Sequence, residues 1–276
     1  MNSKAKIADL KKAKWWRQAE KGILCLLCPR KCLIPEGKTG FCSVRANFAN
    51  ELFSLAYGHP AAIHIDPIEK KPLNEFLPRT TTFSIGCYGC NLDCAFCQNY
   101  HLSRGSYSTE DFSQFISPEK LVEDALAAGC QSVAFTYNEP VVWAEYMLDI
   151  AAAAKDRKLA AVMVSNGYIE PGPAKEIFPL IDAANIDMKG FSEKFYSKLT
   201  HSSLQPVLNA MKLFYEMGKH LEITNLVIPG ENDSDEMIEA FLLWTKNELS
   251  PKIPLHFSAY HHSSYPSYAS KHKAPR

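Results

Sequence analysis

Neither sign of charge is in excess in this chain, where 30 Lys and Arg stand against 30 Asp and Glu. A formal net charge of +0 leaves no global field to draw nucleic acid or an anionic membrane. Long apolar runs are missing too: no stretch approaches the roughly 18 consecutive apolar residues that a membrane span needs. Met1 to Lys21 is Lys-rich and has no apolar core of a secretory signal. These absences point to a cytoplasmic protein with no nucleic-acid and no membrane partner. Cysteine, by contrast, is plentiful, with nine in 276 residues. In a reducing compartment, clustered thiols are metal ligands more often than disulfides. At 46% hydrophobic, the chain can bury a core for one large domain, or a domain with an appendage.

The chemistry concentrates in Cys90-Asn91-Leu92-Asp93-Cys94-Ala95-Phe96-Cys97, directly after a short apolar strand pattern at Phe83-Ser84-Ile85. Its three thiols, with three and then two residues between them, let one loop bend three sulfurs around one metal centre. Iron–sulfur clusters normally take four thiolates. Three would therefore leave one iron of a four-iron cluster open to a substrate or cofactor. An open metal position marks a chemical site. Cys87 lies just upstream, and if it also binds, the site is closed and structural, holding zinc or an electron-transfer cluster. Spacing alone leaves both readings open.

Lys11 to Lys21, with Trp15 and Trp16, is expected to form a short helix docked by its aromatic face. A second thiol group, Cys25, Cys28, Cys32 and Cys42, is interleaved with Pro29, Pro35, Gly37 and Gly40. So loop-rich a segment needs a metal or disulfide staple. It reads as a zinc site or a second iron–sulfur cluster, against four reduced thiols in a docked loop. Residues 52–57 and 61–65, separated by Gly58-His59-Pro60, read as a hairpin. His64 and Asp66 share one side of the second strand, and a lone His-x-Asp assigns no chemistry.

From Thr81 onward strands alternate with helices. Strands are expected at 82–86, 132–136, 160–165, 184–188, 220–228 and 253–258, and helices at 118–128, 141–157, 173–181, 204–217 and 234–248. Ser117-Pro118 and Ser234-Asp235-Glu236 are helix starts. Repeated βα units demand a parallel sheet with right-handed crossovers. Six strands are too few for a closed eight-stranded barrel. The expected fold is therefore α/β, a partial open (β/α)6 barrel with a Cys-rich N-terminal extension. Its parts are an extension with hairpin at 1–78, the barrel at 79–262, and a polar, mobile tail at 263–276.

In such folds chemistry gathers where strands end. Thr136-Tyr137-Asn138-Glu139-Pro140 follows the second strand and offers an extended backbone with a carboxylate, suited to an ammonium group. Ser165-Asn166-Gly167 follows the third strand, as a turn whose hydroxyl and amide face the mouth. Asp187 and Lys189 share a face at the end of the fourth, either paired with each other or grasping a zwitterionic cofactor. His261 follows the sixth strand, as a binding group or a surface imidazole.

Taken in this order, these residues resemble radical S-adenosylmethionine (SAM) enzymes. The run from Cys90 to Cys97 matches their CxxxCxxC motif, including the aromatic Phe96. Over nearly the whole chain the resemblance is to the branch of pyruvate formate-lyase activating enzyme. Cys25-x2-Cys28-Pro29-x2-Cys32, Gly40-Phe41-Cys42-Ser43-Val44-Arg45 and Asp66-Pro67-Ile68-Glu69-Lys70-Lys71-Pro72-Leu73 look like the AmmeMemoRadiSam-system subgroup. The resemblance implies that Cys90, Cys94 and Cys97 hold a [4Fe–4S] cluster, with Cys87 outside the set. It places Asn138 and Glu139 at the SAM amine, and Ser165, Asp187, Lys189 and His261 in or beside the SAM site, where the turn reading also puts Asn166 as a cofactor contact. No side chain is then a catalyst beyond cluster and cofactor. Val164 departs from the pattern, standing where activating enzymes carry an acidic residue for a monovalent cation. The chain also ends at Arg276, where relatives run further. The implied reaction is reductive cleavage of SAM to a 5′-deoxyadenosyl radical that abstracts hydrogen from a substrate, such as a loop of another protein. An external one-electron reductant of flavodoxin or ferredoxin type supplies the electron. The competing class is a non-enzymatic zinc or iron–sulfur binding module, or an electron carrier.

Overall fold

The computed structural model describes residues 10–108 and 111–261; the expected tail at 263–276 lies outside the described residues. Six strands run parallel in one sheet: β8 (Thr81–Gly86), β9 (Ser132–Phe135), β10 (Ala160–Ser165), β11 (Ala183–Asp187), β12 (His220–Val227) and β13 (Leu255–Ala259). They neighbour one another in chain order, as a partial barrel wound by right-handed crossovers requires. The helices that return the chain include α1 (Pro118–Ala127), α2 (Ala144–Asp156), α3 (Pro171–Ile177), α4 (Gln205–Glu216) and α5 (Asp235–Trp244). The two starts read from Ser117-Pro118 and Ser234-Asp235-Glu236 form as expected, while the second helix begins at Ala144 after a 3-10 turn and the third at Pro171. Ser117 Oγ accepts from the Lys120 N–H at 3.2 Å and Ser234 Oγ from the Met237 N–H at 3.3 Å, each filling an orphan donor of a first turn. On α4, Val207, Leu208, Ala210, Met211 and Phe214 are buried, the three- and four-residue steps of one apolar face.

The extension holds two small sheets, β1 (Lys11–Lys12) with β5 (Arg45–Phe48) and β6 (Glu51–Ser54), and β2 (Trp16–Ala19) with β3 (Gly22–Cys25) and β4 (Leu33–Ile34). The helix expected at Lys11–Lys21 does not form. Trp15 takes φ +54°, which breaks a right-handed helix, and β2 pairs antiparallel with β3 so that Trp16 lies opposite Cys25. Both tryptophans still pack on the core.

The expected hairpin between 52–57 and 61–65 is also absent. β6 stays in the extension's sheet, while β7 (Ala62–Pro67) crosses to the barrel and pairs antiparallel with β8. Pro60, with no N–H to give to a ladder, sits at the crossing. The barrel sheet thus has seven strands, six parallel and one antiparallel at its edge.

Behind β7 the chain passes under the barrel at the strands' N-terminal ends. There Glu222 on β12, fully buried, accepts from the backbone N–H groups of Asn74 (3.0 Å) and Glu75 (2.9 Å). Its remaining lone pairs face the Nε2 atoms of His220 (2.9 Å) and His256 (2.6 Å). Asn185 Nδ2 donates to the Pro72 carbonyl at 2.7 Å. This floor leaves the opposite, C-terminal end of the strands as the mouth.

Candidate functional site

The three-cysteine loop leaves β8 at that mouth. Cys90 is buried, and Cys94 and Cys97 are half-buried. One backbone N–H and one side-chain amide turn toward the sulfur of Cys90. The Leu92 N–H donates to it at 3.4 Å, and Asn166 Nδ2 reaches it at 3.7 Å. Burial first, then Glu139 and the Cys94 and Cys97 thiols, push the Cys90 pKa well above the ordinary thiol value. Burial likewise raises Cys94, to about 12, with Lys189 pulling the other way. Ionising one of these thiols therefore disfavours ionising the next along the loop. Cys87 does not join them. Its fully buried thiol faces the Ala56 carbonyl at 3.8 Å and the Tyr107 hydroxyl.

Several contacts outside the motif hold the loop. The stretch Tyr196–Thr200 is a single wide π turn. It leaves the carbonyls of Leu199 and Thr200 free to accept the N–H groups of Ala95 (2.9 Å) and Asp93 (3.1 Å). His201, at φ +49°, ends that turn and meets the Asp93 carboxylate at 3.1 Å. Arg104 pairs with Asp93 at 3.2 Å and donates to the Leu92 carbonyl. Arg30, from the extension, donates to the carbonyls of Asn91 and His201. The two guanidiniums share the Phe41 ring, at 3.5 Å for Arg30 and 4.8 Å for Arg104. Extension and loop also abut at Gly89. A Cβ there would stand 2.4 Å from the Cys42 carbonyl oxygen, and its φ of +95° suits only glycine.

The residues expected around a SAM molecule lie at the ends of β9, β10 and β11. Glu139 is fully buried and its carboxylate collects three donors: the Val141 N–H (3.0 Å), Ser165 Oγ (2.8 Å) and the Asn166 N–H (2.8 Å). Burial raises its pKa to about 7; these donors oppose the shift and Asp187 adds to it. Asn166 Nδ2 also donates to Asn91 Oδ1 at 2.9 Å, joining the turn after β10 to the cysteine loop. Asn138 Nδ2 donates to the carbonyls of Cys87 and Gly89, leaving its buried Oδ1 without a donor. Lys189 Nζ pairs with Asp187 Oδ2 at 2.7 Å. Burial opposes the charge on Lys189, but Asp187 and the neighbouring thiols outweigh it and raise its pKa. The fold thus brings Asn138, Glu139, Ser165 and Asn166 together beside Cys90, with Asp187 and Lys189 beside Cys94. His261 stands apart, exposed past the end of β13.

Sequence reasoning missed Arg30, Arg104, Phe41 and the turn at Tyr196–Thr200. Arg30 and Phe41 sit within the extension's cysteine motifs, which is the one signal that could have drawn attention to them. Nothing in Tyr196-Ser197-Lys198-Leu199-Thr200 marks a π turn.

A model of the radical SAM superfamily matches residues 84–242, more than half the chain, including the three-cysteine loop and the residues from Asn138 to Lys189. The chain belongs to the radical SAM superfamily. It is 39% identical over 239 residues to the uncharacterized protein MJ0808 of Methanocaldococcus jannaschii, covering 87% of this chain and 71% of that protein. Streptococcus suis SuiB bound to SAM superposes with a TM-score of 0.52 at 18% identity, over 69% of this chain and 43% of SuiB. This radical SAM chain therefore spans less than half the length of SuiB, and the likeness is one of fold. A domain of pyruvate-formate lyase-activating enzyme from Bacteroides vulgatus superposes with a TM-score of 0.45 at 16% identity, over 52% of this chain and 85% of that domain.

Membership implies a [4Fe–4S] cluster and SAM. The donor set fits both: three convergent thiols on one loop, with N–H donors on Cys90, and beside them the orphaned acceptor Asn138 Oδ1 and the Glu139 carboxylate. No helix among the described residues is long and apolar enough to cross a membrane.

Proposed function

We propose that this chain is an activating-enzyme-like radical SAM oxidoreductase of the AmmeMemoRadiSam-system type, acting on a segment of another protein and fed by a flavodoxin- or ferredoxin-type reductant. The observation that carries the reading is the orientation of Cys87, whose thiol faces Ala56 and Tyr107 and leaves Cys90, Cys94 and Cys97 as a three-thiolate set. The cluster and SAM, once bound, would supply one-electron reductive cleavage of SAM and hydrogen abstraction from the substrate.

The chain's own residues bind and orient. Cys90, Cys94 and Cys97 hold the cluster. Asn138 Oδ1 and the Glu139 carboxylate accept from the ammonium group of SAM, while Ser165 and Asn166 fix the Glu139 carboxylate in place. Lys189 meets the SAM carboxylate and Asp187 holds Lys189. His261, exposed past the end of β13, is left without a role in holding SAM. The open sides of a six-stranded parallel sheet admit a large substrate. In the extension, Cys25, Cys28, Cys32 and Cys42 hold a second metal.

The test is to incubate the anaerobically reduced protein with SAM and a deuterated candidate protein. Deuterium in 5′-deoxyadenosine supports the reading. Deoxyadenosine without label removes the protein substrate, and no deoxyadenosine at all removes the radical chemistry and leaves a binding module or an electron carrier.

A further inference from the structure

Four cysteines of the extension converge on one small cavity. Cys25 ends β3, Cys28 and Cys32 lie in the loop after it, and Cys42 arrives from the segment before β5. All four line a cavity of about 20 Å³, together with Arg45 and Asn91. One water or ion needs about 10–15 Å³ measured the same way. The space between the four thiols therefore takes a single ion.

Two further observations place hydrogen-bond donors around that space. Left-handed residues follow the second and fourth thiols, Lys31 at φ +43° and Ser43 at φ +65°. Just after the same two thiols, the backbone N–H groups of Arg30 and Val44 are directed at the sulfurs of Cys28 and Cys42. Arg45 is 1% exposed. Its Nη1 spans both oxygens of Glu145 at 3.0 Å and its Nη2 donates to the Lys14 carbonyl. Its Nε–H, buried at the cavity wall, has no partner. An orphaned buried donor costs about 1–3 kcal/mol, and a metal-bound thiolate is the acceptor that relieves it.

We infer that Cys25, Cys28, Cys32 and Cys42 bind one structural zinc ion, with Arg45 Nε–H donating to a coordinated sulfur. The inference deepens the reading of these residues as a metal site and names the metal. Binding releases four thiol protons to solvent and leaves a tetrathiolate of net charge −2, next to the guanidiniums of Arg30 and Arg45. Among the described residues no three such side chains already stand at single-ion spacing, so the sulfurs swing into the cavity to close on the ion. A closed four-sulfur shell is structural. It clamps the extension at the point where Cys42 abuts Gly89 and Arg30 grips the Asn91 carbonyl, and so steadies the iron-binding loop from outside.

The test uses full-length protein, purified anaerobically and reconstituted with iron and sulfide. Elemental analysis and zinc-edge X-ray absorption of the unmutated chain come first and need no variant to fold. The expected result is one zinc per chain, with four sulfur neighbours at about 2.3 Å. Cys28→Ser and Cys42→Ser are expected to lower zinc at least fivefold, while Cys94→Ala loses iron and keeps its zinc. Iron and sulfide in place of zinc, lost in Cys28→Ser, would overturn zinc yet leave a second metal site. No metal beyond the four irons held by Cys90, Cys94 and Cys97 would overturn both. Loss of zinc in Cys94→Ala would overturn the separateness of the two centres.

Discussion

Replacing Glu222 with Gln is expected to open the barrel floor, and the structure sets the size of the effect. The carboxylate takes two donors on each oxygen: the Glu75 N–H and His220 on Oε1, the Asn74 N–H and His256 on Oε2. A glutamine keeps one acceptor oxygen and turns its NH₂ toward the other pair. The backbone N–H of that pair is thus orphaned, for a loss of about 1–3 kcal/mol, while its histidine turns to the tautomer that accepts. The pKa yields a second figure. Burial works against the charged form, but His220, the Asn74 and Glu75 N–H groups and His256 outweigh it, lowering the pKa from 4.5 to about 2. At about 1.4 kcal/mol per unit, this is about 3 kcal/mol, at the upper end of that range. Because the pKa is depressed, the stabilisation is full above about 4.5 and is lost as pH falls toward 2. Denaturant unfolding of wild type and Glu222→Gln at matched metal content, from pH 7 down to 3, gives the comparison. A steady gap that narrows only below about 4.5 is expected. A gap under about 1 kcal/mol at pH 7, or one that widens on acidification, would refute the floor as described.

Three shorter predictions concern the mouth. Cys87→Ser should retain four irons after reconstitution, measured as iron per chain, while Cys90→Ser, Cys94→Ser and Cys97→Ser each lose them. Gly89→Ala drives a Cβ to 2.4 Å from the Cys42 carbonyl, and should lower iron retention far more than Gly129→Ala. The latter has the same left-handed backbone in open space and costs about 1–2 kcal/mol of stability alone. Glu139 carries a raised pKa of about 7, so its burial costs stability increasingly as pH rises from 4.5 through 7. Without SAM, denaturant unfolding should show Glu139→Gln gaining on wild type by about 3 kcal/mol across that window, above a constant offset for the donor it orphans. No pH trend in that difference would contradict the assignment of burial as the cause.

The six parallel strands could be read from the sequence because each is an apolar run bounded by helix starts of defined chemistry, as at Ser117 and Ser234. β7 was misplaced because its pairing partner is decided by which sheet edge is open. Local alternation at 61–65 is the same for a hairpin and for a barrel edge. Trp15 and Trp16 suggested a helix for a similar reason: apolar burial of two large rings does not distinguish a helix face from a tight turn between strands. At the site, Glu139 and Ser165 could be expected where strands end, and Asn138 beside them. What holds the cysteine loop could not. Arg30 is 61 residues from the carbonyl it grips, and the carbonyls of Leu199 and Thr200 are offered by a backbone distortion without a residue signature. Glu222 was passed over because a glutamate inside a strand gives no hint that two histidines and two backbone N–H groups will converge on it.

The proposed four-iron cluster, held by three thiolates, has its fourth iron open to SAM. Electron paramagnetic resonance of the dithionite-reduced protein, recorded with and without SAM, tests it most directly. The account predicts a reduced-cluster signal whose g-values shift when SAM is added, and a Cys87→Ser variant that shifts in the same way. A signal indifferent to SAM, or one that depends on the Cys87 thiol, would contradict it.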